Sequence, residues 1–466
     1  MSRKNTILIL IDDMGWMDLG CQGSSFYETP RLDRLAQEGM RFTDAYASCP
    51  VCSPTRASIM TGKYPATVGI TNFIGGRASG QLLSAPYLDH LPHEERSLAT
   101  VLGEGGYSTW HVGKWHLGDE GSWPEDHGFD VNIGGCDWGM PKSYFSPYGN
   151  PRLSDGPDGE YLTDRLTDEA VGLVKNRGDK PFFMYFCHYA VHIPIQSPPE
   201  LVEKYRAKAS ALGLDTKNPF EEGEPLPFDK KREKRLRRRL FQSDPAYAAM
   251  VENLDWNIGR LLDALDEEGI ADDTVVIFTS DNGGLATNEG SPTSNAPLSE
   301  GKGWMYEGGT REPMIVRWPG VTPPNSICRE PTTTPDFYPT CLEIAGLPLV
   351  PEQHTDGVSI APLLGGEEFE RGPVFWHYPH YSNQGGSPGC SVREGDWKLI
   401  EFFEEDRIEL YNLREDVGET RDLAKEKPET VKRLRDALAE WRVKVGAKVP
   451  EPNPDWPHGD RGAARA

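Results

Sequence analysis

The sequence contains no run of about 20 apolar residues, so it offers no helical membrane span. Cysteine is scarce, with 8 in 466 residues. Cys49 and Cys52 form one C-x-x-C pair with no second pair after it, which argues against a zinc ribbon and against a disulfide scaffold. The other thiols, at Cys21, Cys136, Cys187, Cys328, Cys341 and Cys390, are expected to be buried and reduced. Positive charge is also short: 49 Lys and Arg stand against 72 Asp and Glu, a net charge of -23. That balance excludes generic binding to nucleic acid or to an anionic membrane, but not a small anion held by a local group of cations. A full signal peptide is lacking as well. Residues 1–4 are basic and 6–11 apolar, but the apolar run is short, has no small-residue cleavage site and runs into Asp12-Asp13. The expectation is a cytoplasmic protein, or an exported one whose signal peptide is absent from this sequence.

What is present suits a large globular enzyme. The chain is 37% hydrophobic and 26% charged, ordinary for a folded protein, and long enough for more than one core. Apolar runs at 6–11, 107–112, 181–187, 274–279 and 314–317 read as strands. Helical spacing appears at 31–38, 97–104, 161–175 and 247–266. Alternating strands and helices imply a large mixed, mostly parallel sheet covered by helices on both faces, an α/β fold. The segment between His192 and Tyr247 reads as irregular, and its basic run 230–239 as a solvated surface helix, with an electrostatic funnel for anionic glycans as the alternative. Antiparallel strands at 391–393, 397–403 and 408–411 and a helix at 429–445 mark a small α+β domain. The expected division is 1–370, 371–450 and an extended tail, 451–466.

Polar clusters follow four of the strands. They are Asp12-Asp13, Gly113-Lys114-Trp115-His116, His188 through His192, and Asp281-Asn282-Gly283-Gly284. Ligands of open α/β sheets sit beyond the carboxyl ends of the strands, so clusters far apart in sequence converge on one site. Asp12, Asp13, Asp281 and Asn282 offer oxygen donors suited to calcium or magnesium, although each pair taken alone is equally a turn or a helix cap.

The segment Cys52-Ser53-Pro54-Thr55-Arg56, with Thr61-Gly62 downstream, carries C-x-P-x-R followed by Thr-Gly. With the partners above it resembles the type I, formylglycine-dependent sulfatase family of the alkaline-phosphatase-like superfamily. The likeness runs from Asp12 to at least Tyr411.

The resemblance implies that a maturation enzyme oxidises Cys52 to formylglycine (3-oxoalanine). Its hydrate attacks sulfur, and the second hydroxyl then expels sulfate and restores the aldehyde. It implies a divalent cation, Ca2+ first and Mg2+ second, held by Asp12, Asp13, Asp281, Asn282 and residue 52. Arg56 and Lys114 would stabilise the nucleophile and the sulfate oxygens, and His116 would be the base for sulfate elimination. His192, preferred over His188, would bind sulfate with Lys302, and one or both would protonate the leaving alcohol. Asp281 would assist deprotonation.

The run Trp376-His377-Tyr378-Pro379-His380-Tyr381-Ser382-Asn383-Gln384 offers rings and amides suited to a sugar. His380, Asn383 and Gln384 are candidate substrate contacts, with Arg77, Trp138 and Asn72 as further ones; a packed domain interface is the plain alternative. Similar segments in bacterial family members imply a sulfated carbohydrate, of galactose or N-acetylgalactosamine type. Two other functions stay open: a phosphonate monoester or phosphodiester hydrolase of the same superfamily, and a non-catalytic binder of sulfated glycans.

Overall fold

A computed structural model describes residues 3–228, 233–404 and 407–456. Its strands are β1 (Asn5–Ile11), β2 (Met40–Tyr46), β3 (Ser108–Gly113), β4 (Val131–Ile133), β5 (Phe182–Cys187), β6 (Phe220–Pro225), β7 (Arg235–Arg239), β8 (Thr274–Ser280), β9 (Arg311–Arg317), β10 (Ser326–Cys328), β11 (Thr332–Thr333), β12 (Val374–Tyr378), β13 (Gly389–Glu394), β14 (Trp397–Phe402) and β15 (Arg407–Asn412). A nine-stranded sheet runs in the order β10-β2-β9-β8-β1-β5-β3-β4, with β11 on β2. β9 is antiparallel to both of its neighbours, and every other pairing in this sheet is parallel. The expected mixed, mostly parallel sheet is therefore present.

β1 shows why such strands read as unbroken apolar runs. Ile7, Ile9 and Ile11 point into the core under helices Pro30–Glu38, Leu162–Lys175, Pro199–Ala211 and Pro245–Glu267. Leu8 and Leu10 point into the other core, under Cys52–Thr61, Leu98–Glu104 and Phe337–Ile344. A strand covered on both faces has no solvent side to alternate with. Leu98–Glu104 starts where the Ser97 hydroxyl caps it by accepting from the Thr100 N–H.

The stretch between His192 and Tyr247 departs from expectation. It holds the helix Pro199–Ala211 and the antiparallel pair β6–β7. Of the basic run, 230–232 lie outside the described residues, and Arg235–Arg239 is a strand rather than a helix. Its period is two: Leu236 is buried and Arg237 exposed, and the guanidiniums of Arg237 and Arg239 pack on the Phe220 ring of β6.

β12, β13, β14 and β15 form a four-stranded antiparallel sheet. Leu434, Leu438 and Trp441 of helix Pro428–Lys444 pack against Val392, Leu399 and Leu410 from it. Beyond that helix, Pro452 bridges to Leu82 and the Asn453 amide donates to the Gly80 carbonyl.

Candidate active site

Parallel strands β1, β3, β5 and β8 deliver their C-terminal residues to one edge of the sheet. Backbone bonds lock the exits together. The Asp12 N–H donates to the Ala190 carbonyl at 3.1 Å, Lys114 to Cys187 at 2.8 Å and Asp281 to Ile11 at 3.0 Å. At Gly113 (φ 102) an added Cβ would collide with the Cys187 carbonyl, so only glycine allows this approach.

Cys52 opens the helix Cys52–Thr61, which is buried along its whole length. Residue 52 thus stands at a helix N-terminus, the end that favours an anion. The helix stops at Gly62, in the left-handed region at φ 68, with its N–H on the Ser58 carbonyl. A side chain there would strike His354, which accounts for the glycine of the Thr-Gly pair.

One turn on, Arg56 reaches into the carboxylates. Its Nη2 and Nε donate to Asp281 Oδ2 at 2.7 and 2.9 Å, and its Nη1 to the Lys114 carbonyl at 2.9 Å. Lys114 Nζ donates to Asp12 Oδ2 at 2.8 Å. Lys302 Nζ donates to Asp13 Oδ2 at 2.8 Å. Three cations thus face three carboxylates, all buried. Burial works against ionised Asp13, but the cations Lys302 and Lys114 help to outweigh it and hold the carboxyl below its ordinary range. Burial, Asp281 and Asp13 push Asp12 the other way, against Lys114.

The two histidines have assignable tautomers. His116 Nε2 faces the Ile74 carbonyl at 3.3 Å and must carry the proton, which leaves the Nδ1 lone pair toward Cys52 Sγ at 3.3 Å. His192 Nδ1 donates to the Ile193 carbonyl at 2.8 Å, so Nε2 accepts from Lys302 Nζ at 2.9 Å. Both rings are neutral. Burial lowers their pKa well below the ordinary value, and for His116 the cations Lys114 and Arg56 add to the effect. His188, the competing histidine, is fully buried against Phe186 and neither ring nitrogen has a hydrogen-bond partner.

The donors fit a hard cation. Asp12, Asp13 and His192 each offer a ligand atom within 4.8 Å of the others. Asp12 Oδ1 and Asn282 Oδ1 are buried acceptors without a hydrogen-bond partner among the described residues, a costly state that a cation would relieve. Asp281 accepts from Arg56 through Oδ2 and from the Asp13 N–H through Oδ1 at 3.2 Å, and its oxygens keep lone pairs for a cation. His192 stands among these donors, although the sequence reading assigned it to sulfate binding and protonation of the leaving alcohol and not to the cation.

A cavity of about 470 Å³ opens over Cys52, His116, His192 and Lys302. Of the candidate substrate contacts, Trp138, Asn383 and Gln384 line it. His380 does not: it is 1% exposed, with Nε2 on the Thr71 hydroxyl and Nδ1 on the Ser84 hydroxyl, each at 2.9 Å. Arg77 is exposed and outside the lining, and Asn72 is buried, accepting from the Tyr378 hydroxyl at 3.1 Å. Asp137, Lys142 and Glu289 also line the cavity. They stand in loops without periodicity or motif, and nothing in the sequence singles them out.

Comparison with known proteins places the chain in a family. The profile of the family described as Sulfatase matches residues 4–347, and that of N-sulphoglucosamine sulphohydrolase, C-terminal, matches 300–444. A Sulfatase of Formosa agariphila is 34% identical over 97% of this chain and 93% of its own. The N-acetylgalactosamine-6-sulfatase of Canis lupus familiaris is 32% identical over 80% of this chain and 68% of its own. The crystal structure of Ps i-CgsB in complex with k-i-k-neocarrahexaose superposes with a TM-score of 0.75 at 27% identity, covering 98% of this chain and 96% of that one. On these matches, and on the cysteine and cation set the fold assembles, the chain belongs to the sulfatase family and is a sulfuric ester hydrolase.

Proposed function

We propose that this sulfatase removes sulfate from a sulfated carbohydrate, with residue 52 as the nucleophile after conversion of Cys52 to formylglycine by a maturation enzyme. The observation that carries the reading is the Cys52–His116 contact at a helix N-terminus, beside Arg56, Lys114 and Lys302. The aldehyde, hydrated, would supply a nucleophilic hydroxyl and a second hydroxyl that lets the residue be regenerated. A divalent cation held by Asp12, Asp13, Asn282 and Asp281, with His192 at hand, would polarise oxygen there; an all-oxygen majority favours Ca2+, then Mg2+.

The chain's own residues divide the remaining work. His116 presents an unprotonated Nδ1 to residue 52 and is placed to take a proton from it. Arg56 fixes Asp281 and, through the Lys114 carbonyl, the segment that carries Lys114. Lys302 holds a proton between Asp13 and His192 and faces the cavity where a leaving alcohol would stand.

Support for a carbohydrate comes from the cavity, whose 470 Å³ falls within the ~300–1,000 Å³ of small-ligand sites. Trp138 offers a ring face to a sugar, and Asn383 and Gln384 offer amides. The N-acetylgalactosamine-6-sulfatase relatives and the neighbour holding k-i-k-neocarrahexaose point the same way. The test is sulfate release by the matured protein from defined sulfated mono- and disaccharides, with an aryl phosphonate ester as comparator. Faster cleavage of the phosphonate, with no sugar sulfate turned over, would overturn the reading.

A further inference from the structure

Glu289 lines the same cavity as Cys52 and Lys302, yet it is an acid in a site built for an anion. Its position is built rather than incidental. Asn288, Glu289 and Ser291 all take left-handed φ values, of 50, 44 and 42, in a loop that needs external support. β7 supplies it. The Asn288 N–H donates to the Arg237 carbonyl at 3.0 Å, and the Arg237 N–H to Asn288 Oδ1 at 3.3 Å. Ser291 Oγ donates to the same carbonyl at 3.3 Å, and Arg239 Nε to the Ser291 carbonyl. The hairpin is in turn anchored by Leu226 and Leu236 on Trp304 and Tyr381.

Gln384 completes the wall. Its Nε2 donates to Glu289 Oε2 at 2.5 Å, and Asn288 Nδ2 donates to the Gln384 carbonyl at 3.2 Å. The side chain is 3% exposed, and its Oε1 is a buried acceptor without a partner among the described residues. The partner of this carboxylate is an amide and not a cation. The cations nearest the sulfate position already face carboxylates: Lys302 on Asp13, Lys114 on Asp12 and Arg56 on Asp281. Elsewhere in the lining, Lys142 sits over the Trp138 ring at 4.3 Å and shares its segment with Asp137. Among the described residues, the wall beyond the sulfate position therefore holds more acceptors than positive charges.

We infer that Glu289, held in place by Gln384, sets the charge specificity of the site: its carboxylate accepts hydroxyl or amide N–H groups of a singly sulfated, otherwise neutral sugar and repels a second sulfate or a uronate. The inference rests on the carbohydrate reading and narrows its substrate class.

The test compares wild type, Glu289→Gln and Glu289→Ala, all matured and checked for an unchanged melting temperature. The probes are N-acetylgalactosamine 6-sulfate and its 4,6-disulfate, with an aryl sulfate alongside. Wild type should prefer the monosulfate. Either substitution should narrow the ratio of kcat/KM values by roughly tenfold or more, mainly through KM for the disulfate, and less at high salt. Two sugars hydrolysed with the same ratio in all three proteins would overturn the inference alone. Turnover of the aryl sulfate with neither sugar touched would overturn the carbohydrate reading, and this inference with it.

Discussion

Lys302 Nζ lies 2.9 Å from His192 Nε2 and 2.8 Å from Asp13 Oδ2, so a single ammonium joins a neutral imidazole to the carboxylate cluster. Burial works against this ammonium, but Asp13 chiefly raises its pKa and keeps it charged. A proton held there is useful only when the leaving alcohol needs one. Lys302→Ala should therefore slow a sugar sulfate by roughly 10²–10⁴-fold in kcat and slow a nitrophenyl sulfate far less. Rates across aryl sulfates of graded leaving-group acidity measure this. A uniform loss would place Lys302 in sulfate binding alone.

The nucleophile makes a sharper case. Cys52→Ala deletes a small side chain from a buried helix whose other contacts survive. Turnover should vanish while the melting temperature moves by no more than a few degrees. Intact-mass analysis of wild type should show loss of sulfur at this residue in matured protein and not in protein made without the maturation enzyme. Near-wild-type rates from Cys52→Ala would end the proposal.

Removal of the divalent cation should lower both activity and stability. Asp12 Oδ1 and Asn282 Oδ1 would be left as buried acceptors, and a ligand that binds the folded state alone stabilises it by mass action. Exhaustive chelation should lower the melting temperature by several degrees, with recovery on adding Ca2+ or Mg2+. Full activity of protein shown by elemental analysis to be metal-free would contradict the cation site.

The residues that converge at this edge of the sheet were legible in the sequence because they sit in local motifs at strand ends. Asp12, Asp13, Lys114, His116, His192, Asp281 and Asn282 all fall where parallel strands deliver them. What escaped was anything defined by contacts across the chain. β2 went unseen because its register shifts between Phe42 and Ala45, which breaks the period of two. β12 read as a sugar-binding run because Trp376 and His377 are equally sugar-binding and core residues; Trp376 is in fact buried, donating to the Ala47 carbonyl at 2.8 Å. Glu289 gains its meaning only from β7 and Gln384, distant in sequence.

The C-terminal sheet is joined to the main one by buried charge. Lys398 of β14 is fully buried, with Nζ 2.8 Å from Glu307 Oε1 and 2.9 Å from Glu419 Oε1. Glu307 also accepts from Arg311 of β9 and from the Tyr46 hydroxyl of β2. Removing one partner leaves the others charged and dry, at a cost of about 3–5 kcal/mol. Lys398→Met should lower the melting temperature markedly. Adding Glu419→Gln should recover part of it, since one stranded charge is then removed. A calorimetric double-mutant cycle with no coupling between the two would show that the network holds nothing together.

His380 gives the last prediction, because its place in the fold replaces a role in binding with one in stability. Both ring nitrogens bond to hydroxyls, of Thr71 and Ser84, and the rings of Tyr87 and Tyr378 pack against it. Burial, and secondarily His377, lowers its pKa to about 3. In the unfolded chain a histidine titrates near ~6.5, so below that pH the unfolded state binds the extra proton. The stability gained from neutral His380 is full above pH ~6.5 and is lost progressively as pH falls toward 3, by up to ~1.4 kcal/mol per unit. His380→Gln cannot titrate. At pH 7 the variant should melt below wild type, and the gap should close as the pH is lowered from 6.5 to 4.5. Its glycan and aryl sulfate rates should fall together, if at all, because His380 is no part of the cavity lining. A selective loss on glycan sulfates, with a pH-independent gap in melting temperature, would return this residue to the substrate rim.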